Sequence, residues 1–137
     1  MIEEYAKYLD GDFSVDYWSD EGIGVAVSIL SRFKGSDWTQ LEHSLGGRSD
    51  QWLTRCAETL SEANQVQALQ LLLRLIESNG GIVRIAALDA MSSLVSQGLD
   101  VRDSVDEILV AIEKTRPNAD SVDRIALDAL EDRLRTL

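Results

Sequence analysis

Apolar positions in this chain recur at helical spacing from one end to the other. Between Gln65 and Ser78, Val66, Leu69, Leu72, Leu73 and Ile76 return at steps of three and four, while Leu71 and Leu75 widen the stripe. That pattern predicts a nearly buried helix. Asn79, Gly80 and Gly81 interrupt it, and a second periodic run follows from Ile82 to Gln97, with Val83, Ala86, Ala87, Ala90, Met91 and Leu94 on its inner face. Two helices joined by so short a turn predict an antiparallel hairpin that needs a further layer to cover it.

The same arrangement returns downstream. Val101–Lys114 carries Val105, Ile108, Leu109 and Ile112, then Pro117-Asn118 breaks the run, and Val122–Leu134 follows. Val83 to Met91 aligns with Val122 to Leu130 at an offset of 39 residues, with identity at Val83/Val122, Ala87/Ala126, Leu88/Leu127, Asp89/Asp128 and Ala90/Ala129. A period near forty with alanines inside the second helix is a signature of helical solenoids, in which small residues let neighbouring pairs approach. Upstream, helices are predicted over Gly22–Phe33, Asp37–Leu45 and from the Ser49-Asp50 cap to Leu60, with a further short one over Ile2–Leu9. Trp52, Cys56, Ala57 and Leu60 form the expected buried side of the third of these. The expected fold is all-α, a single domain over 1–137 built as three to four stacked antiparallel helix hairpins from 22 onward.

The run Leu69-Gln70-Leu71-Leu72-Leu73, then Asn79-Gly80-Gly81-Ile82-Val83-Arg84, then Ala87-Leu88-Asp89-Ala90-Met91 resembles a HEAT repeat, with the Val-Arg pair opening its second helix. Preceded by Asp37-Trp38, Leu41 and Gln51-Trp52-Leu53-x-Arg55-Cys56-Ala57-Glu58-x-Leu60, the whole is similar to small HEAT-like immunity proteins of bacterial polymorphic toxin and contact-dependent growth inhibition systems. The resemblance covers roughly residues 36 to 95. It implies a HEAT-like α-solenoid and a cytoplasmic protein that binds and neutralises a cognate toxin.

Charge narrows the kind of partner. The chain holds 24 Asp and Glu against 13 Lys and Arg, a formal net charge of −11, so its field repels nucleic-acid phosphates and attracts basic proteins. The expected toxin is therefore basic, for instance a nuclease, and binding to nucleic acid or membrane is not expected. A general HEAT-type adaptor is the alternative within the same class. A HEAT-type lyase or a nucleic-acid-processing enzyme is the alternative from another.

The residues give catalysis little to work with. His43 is the only histidine and Cys56 the only cysteine, so no paired imidazole, thiolate metal cluster or intramolecular disulfide can be assembled. Neither a catalytic set nor a metal or cofactor is expected. Asp10–Glu21 places oxygens where a calcium loop needs them but has Val15 where that loop needs Gly, and Gly22-x-Gly24 lacks the rest of a dinucleotide fingerprint.

What stands out is the acidic aromatic N-terminal segment, 1–21. It holds seven carboxylates against Lys7 alone, and five of the chain's eight aromatic residues: Tyr5, Tyr8, Phe13, Tyr17 and Trp18. Aromatic anchors ringed by carboxylates suit the docking of a basic partner, whereas the same rings could instead cap the end of the helix stack. The candidate partner-binding residues are Asp12, Asp16, Tyr17, Trp18, Asp20 and Glu21, joined by Asp37, Trp38 and Glu42 on the next helix. Trp38, following a capping Ser36-Asp37 pair, is expected to be half-buried with its indole nitrogen toward water.

Overall fold

A computed structural model describes residues 1–137, the side chain of Gln65 excepted. Helix accounts for 75% of the chain and, among the described residues, no strand is present, as the three- and four-residue periodicity predicts. The helices are α1 (Ile2–Leu9), a single turn α2 (Val15–Tyr17), α3 (Ile23–Leu30), α4 (Gly35–His43), α5 (Asp50–Leu60), α6 (Gln65–Leu75), α7 (Gly81–Ser96), α8 (Val105–Thr115) and α9 (Ser121–Arg135). Side-chain caps account for several starts. The oxygens of Ser14, Ser49, Asn64 and Asp120 accept backbone N–H groups that the first helical turn leaves free, and Asp37 Oδ2 accepts the Lys34 N–H at 2.9 Å.

The helices alternate between two rows. α3 packs on α5, α5 on α7 and α7 on α9, while α6 lies against α5 and α7, and α8 against α7 and α9. α4 departs from a simple hairpin with α5 and packs on α1, where Trp38 meets Phe33 edge to face and Phe33 meets Tyr5 in the same way. Trp38 is accordingly buried, at 8% exposure, rather than half-buried as its place after a helix cap suggests. The Tyr5–Phe33–Trp38 aromatic chain outweighs the cap signal there.

The core is continuous from Ile2 to Leu134 and centres on the α5–α7 contact, where Trp52, Cys56, Leu60, Val83, Ala87, Met91 and Leu94 are all fully enclosed. Ala87 has no exposed surface, which fits a site of close approach. Its counterpart Ala126 is only half-buried, and Val122, the counterpart of the enclosed Val83, is 73% exposed. Equal sequence therefore meets unequal surroundings, because α7 has neighbours on both sides and α9 only on one. Among the described residues, no helix is long and apolar enough to cross a membrane.

Two expectations follow from this packing. Ala87→Leu forces three extra carbons into a filled contact and should lower the unfolding free energy by about 1–3 kcal/mol, while Ala129→Leu on the exposed side of α9 should leave it nearly unchanged. Denaturant titration of both variants checks the difference. Burial pushes the Cys56 thiol up to about 12, so it stays protonated and covered at neutral pH and should resist alkylation until the chain unfolds. Rapid labelling of folded protein would contradict the enclosed position.

Candidate functional site

The N-terminal segment is built into the core. Tyr5 is fully buried and its hydroxyl shares a 2.7 Å hydrogen bond with Thr59 Oγ1, while the Trp52 indole N–H donates to Ala6 O at 3.0 Å. From Leu9 the chain turns over Arg55, a buried residue of α5. The Arg55 guanidinium donates from Nη1 to Leu9 O at 2.8 Å and to Gly11 O at 2.7 Å, so it satisfies carbonyls at and just beyond the end of α1. Phe13 and Trp18 lie against the same cation, with ring centroids 5.2 and 5.3 Å from its central carbon, and their planes are nearly parallel.

Ser14 then accepts the Tyr17 N–H and starts helical backbone that runs without a break through α2, a wider π-type turn at Trp18–Gly22, and α3. Sequence periodicity places this helix start near Gly22; the Ser14 cap moves it to Val15. The second half of the Asp10–Glu21 run is therefore helical and does not wrap a point as a calcium loop does. A Cβ on Gly22 would stand 2.6 Å from Trp18 Cε3, so glycine is what lets the indole fold back along its own helix.

The predicted partner-binding residues divide by exposure. Asp12, Asp16, Asp20 and Glu21 are exposed, and among the described residues none of the four forms an ion pair. Tyr17 is half-buried; its hydroxyl lies 3.0 Å from that of Tyr8 and its ring packs on Phe13. Burial, then the Tyr17 hydroxyl, pushes Tyr8 up to about 12, so its phenol stays neutral across the ordinary pH range. Trp18 is only 6% exposed, and its indole N–H donates to Glu58 Oε1 at 3.1 Å. The ring offered by the sequence as an anchor for a partner is thus covered by the chain itself.

The second group lies apart from the first. Asp37 is engaged as the cap of α4, Trp38 is packed under Phe33, and Glu42 pairs with Arg74 of α6 at 3.7 Å. Glu42 lines a polar depression of about 770 Å³ with His43, Asp50, Arg74 and Glu77, whereas Glu21 lines an apolar groove of about 920 Å³ between α1 and α3. Neither of these two depressions takes candidates from both groups. What the arrangement offers chemically is fixed negative charge. Four unpaired carboxylates are carried by a segment whose rings Tyr8, Phe13, Tyr17 and Trp18 pack together, with Phe13 and Trp18 lying against Arg55.

The role of Arg55 is not legible in the sequence. An arginine at a helical position between Trp52 and Thr59 has the same letter whether it points to water or inward, and only the inward stripe around it hinted at the second. Arg55→Met should lower the unfolding free energy by about 2 kcal/mol or more, because the Leu9 and Gly11 carbonyls lose their donor. Arg55→Lys should recover only part of the loss, since one ammonium cannot reproduce the guanidinium fork. Equal stability of the Met variant and the parent protein would show that Arg55 does not hold the segment.

No protein-family model, curated protein or solved structure matches this chain.

Proposed function

We propose that this protein is an immunity protein that binds a basic bacterial toxin and blocks it by occlusion, without chemistry of its own. The observation that carries the reading is the display of Asp12, Asp16, Asp20 and Glu21, all exposed and free of internal cations, on a segment whose aromatic rings pack together, in a chain of net charge −11. Unpaired carboxylates speed the approach of a basic partner, and the helical backbone that bears three of them at 16, 20 and 21 has little conformational freedom left to lose on docking. The resemblance of residues 36 to 95 to HEAT-like immunity proteins supplies the class of partner.

The finer architecture belongs to the same proposal: a HEAT-like α-solenoid. Two features support it. The helices α3, α5, α7 and α9 touch in chain order, and each of the two C-terminal pairs is closed by an arginine at the start of its second helix. Arg84 donates to Ser78 O at 2.8 Å, beyond the end of α6, and Arg124 donates to Arg116 O and Pro117 O, beyond the end of α8. Arg124 stands one position after Asp123, the counterpart of Arg84 in the 39-residue repeat, so the two bonds are alike in kind but not in register.

The partner is the protein encoded next to it, and a purified complex between the two is the first expected result. Replacing the four acids together, as Asp12→Asn, Asp16→Asn, Asp20→Asn and Glu21→Gln, should slow association on the order of tenfold at low salt and flatten its salt dependence, with little change in stability. Glu42→Gln should act weakly by comparison, since Arg74 already screens it. Trp18→Ala should act through the fold of the segment. Association rates measured at two salt concentrations separate these effects, and unchanged rates in the folded quadruple variant would move the binding face elsewhere.

A further inference from the structure

Along α5 runs a groove that takes only Trp18 from the candidate residues above. It consists of two depressions of about 410 and 460 Å³ that meet at Thr54, Glu58 and Ile82. One wall is α7 and the other is formed by Ser14, Val15 and Ser19, then Ile23 of α3. With 11 residues in α5, the groove is about 16 Å long, the length of three helical turns.

Its two chemical components are placed differently. The middle is apolar: Ile82 is 70% exposed, Val15 is 81% exposed, and Ile85, Ala86 and Ile23 lie half-buried beside them. Asp50, Glu58, Glu62 and Asp89 stand along its length. Glu58 is oriented by the Trp18 indole N–H, and burial together with nearby Asp123 holds the Asp89 carboxyl above its usual range. The one cation in the lining, Arg55, spends its guanidinium on the Leu9 and Gly11 carbonyls. An apolar centre flanked by uncompensated carboxylates is complementary to a helix with an apolar stripe bordered by Lys and Arg.

We infer that the α5–α7 groove, with Ile82 at its centre and Asp50, Glu62 and Asp89 along it, is the docking site for one amphipathic, Lys- and Arg-bearing helix of a partner protein. The basic character of that partner rests on the toxin-binding reading; the groove and its charge stand without it. The helix would set two or three apolar side chains over Ile82 and Ile85 and place its cations against the carboxylates. The free acids at 12–21 lie on the segment that forms one wall, so they would guide the partner toward the groove.

The probe is a synthetic helical peptide of Lys and Leu with its leucines at three- and four-residue spacing, titrated into the isotopically labelled full chain while amide shifts are followed. A scrambled peptide of the same composition, with no apolar face, is the control. The inference expects shifts concentrated in residues 13–19, 50–62 and 82–93, tighter binding of the amphipathic peptide than of the scrambled one, and about tenfold or greater weakening by Ile82→Ser combined with Glu62→Lys. Both positions face solvent, so the fold should tolerate the change, and the variant's amide spectrum verifies it. Equal binding of the two peptides, or shifts confined to the outer acids, would overturn the groove as a site. Groove binding by the peptide without any complex with the neighbouring gene's product would instead leave the groove standing and remove the toxin reading.

Discussion

Burying Arg55 imposes a condition that much of the N-terminal half satisfies. A guanidinium taken out of water must have its hydrogens accepted, and here the partners are two main-chain carbonyls at the end of α1 rather than a carboxylate. Such carbonyls come to hand only if the chain leaves α1 at Leu9 and crosses α5 at this point. Once it does, Phe13 and Trp18 close over the cation, Ser14 restarts the helix, and Gly22 gives the indole its space. The exposed carboxylates at 12, 16, 20 and 21 take their positions from that sequence of constraints.

Arginine serves a related purpose further along. Arg84 bridges Ser78 O and Thr115 Oγ1, tying the α6–α7 turn to the end of α8, and Arg124 reaches back to the α8–α9 turn. In each case a cation near the start of a helix, or within it, satisfies acceptors left free where another helix ends. The Arg84–Thr115 bond joins one helix pair to the next in addition to apolar contact, while the other arginine bonds close the turn within a pair.

Much of the fold was legible because helical periodicity is a local signal. The inner faces of α6 and α7, the burial of Trp52 and Cys56, and the breaks at Gly80-Gly81 and Pro117-Asn118 follow from residues within one or two turns of each other. The failures have a common origin in distance. Trp18 is closed over by Glu58 and Arg55, about forty residues away, and the Phe33 that covers Trp38 is itself held by Tyr5 of α1, so the deciding contacts lie far from each indole in sequence. The repeat alignment gave Ala87 and Ala126 one environment, yet α9 lacks the outer neighbour that encloses α7. Of the candidate site, the exposed acids were legible from composition alone, whereas the acidic line of Glu58, Glu62 and Asp89 needs α5 and α7 side by side before it exists.

Function in this account depends on rigidity as much as on charge, since carboxylates on a loose tail would attract a basic partner without directing it. The most direct measurement is native-state hydrogen exchange of the free protein at the Trp18 and Ile23 amides, which donate to Ser14 O and Trp18 O. The account predicts protection approaching that of α5, because the segment opens only when the Arg55 contacts and part of the core open with it. Exchange near the rate of an unstructured peptide at these two amides, with α5 still protected, would show the segment to be loose and contradict the account.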